Sequence, residues 1–257
     1  MSSFPYHGNT IWYEALGSGF PLLLLHGNTA SSHMFGGVAQ QFAKRRKVIL
    51  MDFLGHGRSD RLERFPADLW FDEAMQVIAL LRWLQLARAD IIGSSGGALV
   101  AINAALEAPE LVGKIIADSF EGERALPAFT EQMALDRERS KLDAGAVRFY
   151  KAMQGEDWES VVDNDTGAVI RHSREIGAFF HRPLRELKAE ILLTGSLEDE
   201  FTSVLGQDFF EKTYGELLMK IGHGSMHLFA RGGHPALLSN QAEFVPLAER
   251  FLSAGIS

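Results

Sequence analysis

Short apolar runs alternate with longer amphipathic segments along the first half of the chain. The runs predict β-strands at residues 10–15, 22–25, 48–51, 90–92 and 115–117, and helical spacing of apolar positions predicts helices at 33–44, 68–86 and 96–108. Further strands are predicted at 191–194 and 226–230, with a helical segment at 202–221 between them and a last helix that begins near Pro235. Such alternation is typical of an α/β fold, in which helices flank a mostly parallel central sheet.

Residues 121–183 interrupt this alternation, because they show charged, amphipathic helical patterns and no convincing strand. About 60 residues exceed the usual length of one connection between strands. We therefore expect a helical cap inserted at 121–183, with residues 1–120 and 184–257 forming the core domain; the alternative is ordinary helix that covers the sheet. Aromatic residues of this segment are candidates for the roof of an apolar pocket: Phe129, Phe149, Tyr150, Trp158, Phe179 and Phe180.

Composition narrows the possible classes of function. With 257 residues and 46% hydrophobic content, the chain can bury one sizeable core. Its net charge of -8 and the lack of a basic stripe argue against a nucleic-acid partner, since binding to phosphates needs clustered Lys and Arg. The absence of cysteine excludes disulfides, thiolate metal sites and a cysteine nucleophile. No stretch has the length expected of a membrane span and no secretory signal pattern is present, so we expect a cytoplasmic protein without membrane contact.

A Gly-x-Ser-x-Gly motif lies where a predicted strand passes into a predicted helix, at Gly93-Ser94-Ser95-Gly96-Gly97. A sharp strand-to-helix turn imposes unfavourable backbone angles on the central serine and needs very small residues two positions away on either side. Only Ser95 has glycine at both positions, so Ser95 rather than Ser94 is the candidate nucleophile. The structural alternative is a glycine-rich loop whose serine caps the helix.

A serine nucleophile needs a histidine as general base and an acid that orients this histidine. Of the nine histidines, His234 directly follows a predicted strand and directly precedes the last helix. Sites in α/β proteins are built from loops at the carboxyl ends of strands, so His234 is the candidate base. His223 lies in a turn before that strand and His227 lies within it, and both are more simply explained as structural residues, as is His26.

The acid is expected after an earlier strand, where the run 191–194 leads through a glycine turn into Glu198-Asp199-Glu200. This position gives the chain order serine, acid, histidine. Asp199 is the preferred acid and Glu198 its main rival, while Glu200 and the more distant Asp118 are further alternatives. Carboxylates are also favourable at a helix N-terminus, which explains part of the acidic run without any chemistry.

Hydrogen-bond donors for a developing oxyanion are predicted after the apolar strand 22–25, where His26-Gly27-Asn28 forms a glycine turn. The backbone amides of Asn28 and Gly96 are the candidate oxyanion hole. The Asn28 side chain either adds a contact there or caps the turn.

Together these segments resemble the α/β-hydrolase superfamily over nearly the whole chain. Besides the serine turn and the turn after residue 25, the segment 52–59, with the sequence Asp-Phe-Leu-Gly-His-Gly-Arg-Ser, is similar to a structural turn of that superfamily. The resemblance implies an α/β-hydrolase fold with a cap, and it implies that His56 is not the base. It also places the acid three residues after the strand-end glycine, which corresponds to Glu198, whereas Asp199 lies one residue further.

The expected reaction is acyl transfer: His234, oriented by Asp199, takes the proton of Ser95, Ser95 attacks a carbonyl carbon, and water hydrolyses the acyl-enzyme. The resemblance implies a carboxylic ester of a small apolar molecule as substrate. Carbon–carbon bond hydrolysis, amide or iminopeptidase cleavage and perhydrolysis are alternatives on the same residues, and a non-catalytic protein that binds a small ligand is an alternative of another class. No cofactor is expected and no metal, because no histidine ligand motif is present. Nothing in the pattern specifies an oligomeric state.

Overall fold

The computed structural model describes residues 2–254, and its centre is one eight-stranded sheet. The strands are β1 (Ser2–Tyr6), β2 (Asn9–Leu16), β3 (Pro21–Leu25), β4 (Lys47–Met51), β5 (Ala89–Ser94), β6 (Val112–Asp118), β7 (Glu190–Ser196) and β8 (Ser225–Phe229). Their order across the sheet is β1-β2-β4-β3-β5-β6-β7-β8. β2 is antiparallel to β1 and β4, and the neighbouring pairs from β4 to β8 are parallel. The predicted α/β class with a mostly parallel sheet is confirmed.

Helices connect the strands and flank the sheet. They are α1 (Gly36–Phe42), α2 (Leu69–Trp83), α3 (Gly96–Glu107), α4 (Pro127–Ser140), α5 (Ala144–Gln154), α6 (Trp158–Glu175), α7 (Glu200–Leu205), α8 (Phe209–Ile221), α9 (Ala236–Ser239) and α10 (Gln241–Ser253). Short 3-10 helices occupy Ser32–Phe35 and Leu184–Glu186. In the part of the chain that the structure describes, no helix combines the length and the apolar character needed to cross a membrane.

Alternate residues of the central strands pack into two different layers of the core. Leu22 and Leu24 of β3 point to the layer under α1 and α10, while Leu23 and Leu25 point to the layer under α2, α3 and α8. All four side chains are fully buried, as expected for a parallel strand covered on both faces. Because these strands are fixed on both sides, the loops at their carboxyl ends start from rigid positions along one edge of the sheet.

Four elements differ from the sequence prediction. The last helix, expected as one element from near Pro235, is two helices, α9 and α10, with Asn240 between them. β1 was not predicted, because its sequence is short, mostly polar and contains Pro5; as the edge strand of the sheet it tolerates this proline. The helical segment expected at 202–221 is two helices, α7 and α8, separated at Gly206, where the backbone adopts φ 108°. The helix expected at 33–44 begins as a 3-10 turn and becomes α-helical only at Gly36.

Three helices lie between β6 and β7, in the position of the predicted insertion. α4 and α5 both pack against α6, and α6 in turn contacts α2 of the surrounding fold. Tyr150, Trp158 and Val162 form a small apolar cluster of their own within this group. The division into a core domain and a cap remains our proposal.

Candidate active site

Ser95 lies at the carboxyl end of β5, directly before α3, and its backbone adopts φ 56° and ψ −126°. This conformation is strained for a residue with a side chain, and neighbouring backbone groups hold it in place. The N–H of Ser95 donates to the carbonyl of Asp118 at 2.7 Å, and the N–H of Ala98 donates to the carbonyl of Ser95 at 2.9 Å. A Cβ atom at Gly93 would collide with the carbonyl oxygen of Gly97, so glycine at this position is a steric requirement of the turn.

The two adjacent serines of the motif have different surroundings. Ser94 is fully buried, and its hydroxyl donates to Asp118 Oδ2 at 3.1 Å. Ser95 instead lines a cavity of about 370 Å³, and His234 lines the same cavity. Within residues 2–254 no hydrogen bond joins the Ser95 hydroxyl to His234, a contact that in unliganded enzymes often forms only when substrate binds. Ser95 is therefore the serine that a ligand in the cavity can reach.

His234 follows β8, and its ring contacts Asp199, which follows β7. The Nδ1–H of His234 donates to Asp199 Oδ2 at 2.9 Å, which leaves Nε2 to exchange a proton with another group. Asp199 is only 1% exposed, and its Oδ1 accepts the N–H of Phe201 at 3.1 Å, so the same carboxylate caps α7. Burial lowers the pKa of His234, but the hydrogen bond and the negative charge of Asp199 outweigh burial and raise this pKa to about 9.

The rival acids have other partners. Glu198 is exposed, and its Oε2 accepts a backbone N–H at 3.0 Å from the loop that carries His234. Glu200 is exposed at the margin of the cavity. Asp118 is fully buried, and burial raises its pKa to about 6 despite the hydrogen bonds that its carboxylate accepts. Of these four neighbouring acids, Asp199 is the one in hydrogen-bond contact with the ring of His234.

The turn after β3 passes close to Ser95. A Cβ atom at Gly27 would lie 2.7 Å from the Cβ of Ser95, so the approach requires glycine. Asn28 and Gly96 line the cavity beside Ser95, and neither backbone N–H donates a hydrogen bond within the described residues. Both polar atoms of the Asn28 side chain form hydrogen bonds with other side chains: Oδ1 accepts the indole N–H of Trp70, and Nδ2 donates to Asp165. These contacts are expected if the side chain caps the turn.

The other histidines considered from the sequence have structural contacts. The Nδ1–H of His26 donates to the carbonyl of the next residue at 2.9 Å, and its Nε2 accepts the N–H of Phe53 at 3.1 Å. Burial lowers the pKa of His26 to about 4, so the ring is neutral and holds the turn. His56 is buried away from the cavity lining, His223 donates from Nε2 to a backbone carbonyl at 2.8 Å, and His227 is exposed on β8.

The wall of the cavity combines apolar and polar side chains and comes from both the sheet side and the inserted helices. Its apolar part includes Trp70, Leu99, Phe120, Phe129, Met133, Val169, Phe201 and Val204. Of the aromatic residues expected in the roof, Phe129 and Tyr150 line the cavity. The others do not: Phe149 is exposed, Trp158 stacks on Tyr150, and Phe179 and Phe180 are buried in the core. Within residues 2–254 no group of three or more histidine, aspartate and glutamate side chains is placed to hold a metal ion.

Sequence patterns did not single out several ionisable residues at or beside the cavity, among them Glu121, Arg137 and Asp165. Glu121 lines the cavity, and burial raises the pKa of its carboxyl to about 8. Arg137 also lines it, and its guanidinium donates to the buried carboxylate of Asp165 at 2.7 Å. One signal was available for Asp165, because it lies four residues after Val161 and four before Val169 on the buried face of α6. An acid at an apolar helical position indicates a buried, paired charge.

A mostly parallel sheet with a strained serine turn after its central strand defines the class of α/β hydrolases. The chain belongs to the alpha/beta hydrolase family, whose model matches residues 22–247. It is 26% identical over 260 residues to a 2-hydroxymuconate semialdehyde hydrolase from Pseudomonas sp. (strain CF600), and the alignment covers 92% of this chain and 88% of that protein. The predicted superfamily is confirmed.

Solved structures with the same fold include hydrolases of different names. A meta-cleavage product hydrolase from Pseudomonas fluorescens IP01, complexed with acetates, superposes with a TM-score of 0.74 at 23% identity, over 98% of this chain and 97% of that chain. An esterase from Exiguobacterium antarcticum superposes with a TM-score of 0.73 at 18% identity, over 96% of this chain and 97% of that chain. These likenesses confirm the α/β-hydrolase fold.

Proposed function

We propose that this protein is a serine hydrolase that cleaves carboxylic esters of small apolar molecules by acyl transfer through Ser95, His234 and Asp199. The observation that carries the proposal is the placement of His234. Its ring is hydrogen-bonded through Nδ1 to a buried carboxylate, and it lines the same cavity as a serine with strained backbone angles. This is the arrangement that activates a hydroxyl for nucleophilic attack.

The proposed reaction proceeds in two halves. Neutral His234 takes the proton of the Ser95 hydroxyl on Nε2 as Oγ attacks the ester carbonyl carbon, and Asp199 stabilises the imidazolium that forms. The amides of Asn28 and Gly96 stabilise the negative charge on the carbonyl oxygen. The imidazolium then returns its proton to the departing alcohol, which leaves an acyl group on Ser95. Water attacks this acyl-enzyme in the same way, with His234 again as base, and releases the carboxylic acid.

The character of the cavity supports an uncharged substrate. Two carboxyl residues of its wall, Asp136 and Glu200, disfavour an anion, and the guanidinium of Arg137 is already paired with Asp165 at 2.7 Å. The imidazole of His234 is likewise paired with Asp199. A substrate carboxylate would therefore meet no unpaired cation among the described residues of the cavity, and burying an unpaired charge is strongly unfavourable.

A second candidate function is favoured by the relative that aligns over 92% of this chain, a 2-hydroxymuconate semialdehyde hydrolase. The compound in that name is a carboxylate, and the charge of the cavity disfavours it as a substrate here. Turnover of 2-hydroxymuconate semialdehyde, compared with turnover of neutral short-chain esters, separates the two candidates. A kcat/KM for the semialdehyde above that of every ester tested would overturn the ester proposal.

Labelling with a fluorophosphonate probe tests the nucleophile directly and separates an enzyme from a ligand-binding protein on the same fold. We expect a covalent adduct that mass mapping places on Ser95, and we expect Ser95→Ala to lose both the adduct and at least about 1,000-fold of ester turnover. Ser203→Ala is the matched control, because Ser203 also lines the cavity. This variant should keep both the adduct at Ser95 and the ester turnover. Folded wild-type protein without an adduct at Ser95 would contradict the proposed mechanism.

A further inference from the structure

Asp165 of α6 is a buried carboxylate in contact with the turn beside Ser95. The residue is fully buried, and its Oδ2 accepts the side-chain amide of Asn28 at 2.9 Å and the backbone N–H of Thr29 at 3.2 Å. The same oxygen lies 3.2 Å from His56 Nε2, and Oδ1 accepts from Arg137 at 2.7 Å. One side chain from the inserted helices thus joins two consecutive residues of the turn that carries a candidate oxyanion donor.

The charge of Asp165 is maintained in this buried position. Burial by itself raises the pKa of a carboxyl, but the charge of Arg137 and the hydrogen bonds from His56 and Asn28 outweigh it and hold the pKa of Asp165 well below its usual range. The carboxylate is therefore ionised at neutral pH. Ionised acceptors form the stronger, shorter class of hydrogen bonds, which suits a group that fixes the direction of a turn.

Asn28 is held from both sides. Its Nδ2 donates to Asp165, and its Oδ1 accepts the indole N–H of Trp70 at 3.1 Å. The following residue, Thr29, has a positive φ of 56°, which is unfavourable for a β-branched side chain. Such a conformation persists only where surrounding contacts enforce it, and here the N–H of Thr29 is bonded to Asp165 while its hydroxyl donates to the carbonyl of Asn28 at 2.7 Å.

We propose that Asp165 is a positioning residue for the oxyanion hole: it holds the turn 28–29 so that the backbone N–H of Asn28 faces the oxygen on which charge develops. Asp165 itself does not touch substrate, since it is fully buried and is not part of the cavity wall. The inference rests on the proposed acyl transfer at Ser95. It makes the inserted helices a part of the catalytic geometry as well as a roof over the cavity.

The first test is Asp165→Asn, which keeps the shape of the side chain and removes its charge. Loss of a well-aligned oxyanion donor typically lowers kcat by about 100-fold or more, and a misdirected donor should cost roughly 10- to 100-fold in kcat with KM changed by less than about threefold. Asp163→Asn is the matched control. Asp163 is on the same helix and is exposed, with an ion pair to Lys141, so this variant should keep wild-type kcat.

Inhibitor affinity distinguishes positioning from a merely structural role. A trifluoromethyl ketone matched to the best ester forms a tetrahedral adduct with an oxyanion, whereas the corresponding methyl ketone binds as a ground-state analogue. We expect Asp165→Asn to lower the affinity for the trifluoromethyl ketone by the same factor by which it lowers kcat/KM. The affinity for the methyl ketone should change by less than about threefold. If the folded variant keeps wild-type kcat and wild-type affinity for both ketones while its Tm falls, Asp165 is only structural and the inference is wrong.

Asn28→Ala provides a second route if Asp165→Asn does not fold, because it releases the turn without leaving an unpaired charge on Arg137. It should reproduce the loss in kcat and in trifluoromethyl ketone affinity, and unchanged values would overturn the inference. Fluorophosphonate labelling keeps this outcome separate from failure of the proposed function. If wild-type protein is labelled at Ser95 but the variants keep wild-type kcat and inhibitor affinity, only the positioning role is wrong. If wild-type protein is not labelled, the proposed acyl transfer is wrong, and so is the inference that rests on it.

Discussion

Asp199 and Glu198 are adjacent carboxylates with very different environments, and this difference decides which one can orient His234. Asp199 is buried and bonded to Nδ1, whereas Glu198 is exposed and bonded to backbone. We expect Asp199→Asn to lower kcat by about 10,000-fold, because the amide favours the wrong tautomer of the imidazole. Glu198→Gln should lower kcat by less than about threefold. Steady-state rates on one neutral ester test both variants, and the reverse ranking would reassign the acid to Glu198.

The pKa of His234 predicts the direction of the pH dependence. Since Asp199 raises this pKa to about 9 and the base must be neutral, kcat/KM should increase with pH until about pH 9 and then level off. In Asp199→Asn the largest raising influence on the pKa of His234 is lost while burial and the weaker charges of Glu200 and Asp118 remain, so the midpoint of the residual activity should move to lower pH. The protonated ring also stabilises the folded state below pH 6.5, and this contribution is lost as the pH rises through about 9. A profile that falls between pH 6 and 9 would contradict the assignment of His234 as base.

At the residue scale, the sequence identified groups whose surroundings are local. Ser95 and His234 follow predicted strands and are marked by neighbouring glycines or by a helix start. The choice between Asp199 and Glu198 depends on how one loop turns, which residue types do not specify. Asp165 reaches Asn28 across 137 positions, so its role became visible only in the folded chain.

Asp118, at the end of β6, connects several elements behind the candidate site. Its carboxylate accepts from Ser94 of β5, Thr194 of β7 and the backbone of Leu237 in α9. Burial raises its pKa from 3.8 to about 6, so between these values the folded state holds a proton that the unfolded chain has released. The contribution of Asp118 to the free energy of unfolding therefore falls as the pH rises, by roughly 3 kcal/mol in total at pH 8.

Asp118→Asn imitates the protonated form and should remove this penalty. Relative to wild type, the variant should be more stable at pH 8 by about 1–3 kcal/mol, with the difference shrinking toward zero at pH 4. Urea unfolding at several pH values measures the difference, and Ser94→Ala serves as a control that removes one hydrogen bond without removing the carboxyl. A variant that is less stable than wild type at pH 8 would show that the ionised carboxylate is the form that the three elements require.

Elements buried on both faces were the easiest to predict, because β3, β4 and β7 each contain at least three consecutive large apolar residues. β1 lacks such a signal, since an edge strand needs only one buried side chain, Phe4, to pack against the core. The break between α7 and α8 was missed because helical periodicity continues across Gly206 even though the backbone does not.

At the scale of the whole molecule, two sources of negative charge act on an incoming substrate. The chain has a net charge of -8, which acts over long distances and is screened by salt. The cavity acts at contact: Asp136 and Glu200 line it, and the guanidinium of Arg137 is already paired with Asp165. The first effect should weaken at high ionic strength, and the second should persist.

A pair of esters of equal size, one ending in a methyl group and one in a carboxylate, separates these effects. We expect kcat/KM for the carboxylate ester to be lower by at least about 100-fold, because its charge must be buried without a free partner. In 0.5 M NaCl the difference should shrink only slightly, since pairs inside the protein are screened far less than the surface. If the discrimination disappears in salt, the net charge and not the cavity excludes anions. If the carboxylate ester is cleaved as fast as its neutral partner at low salt, the cavity accommodates an anion, for example on the N–H groups of Arg137 other than those on Nη1, and the proposal for uncharged substrates is wrong.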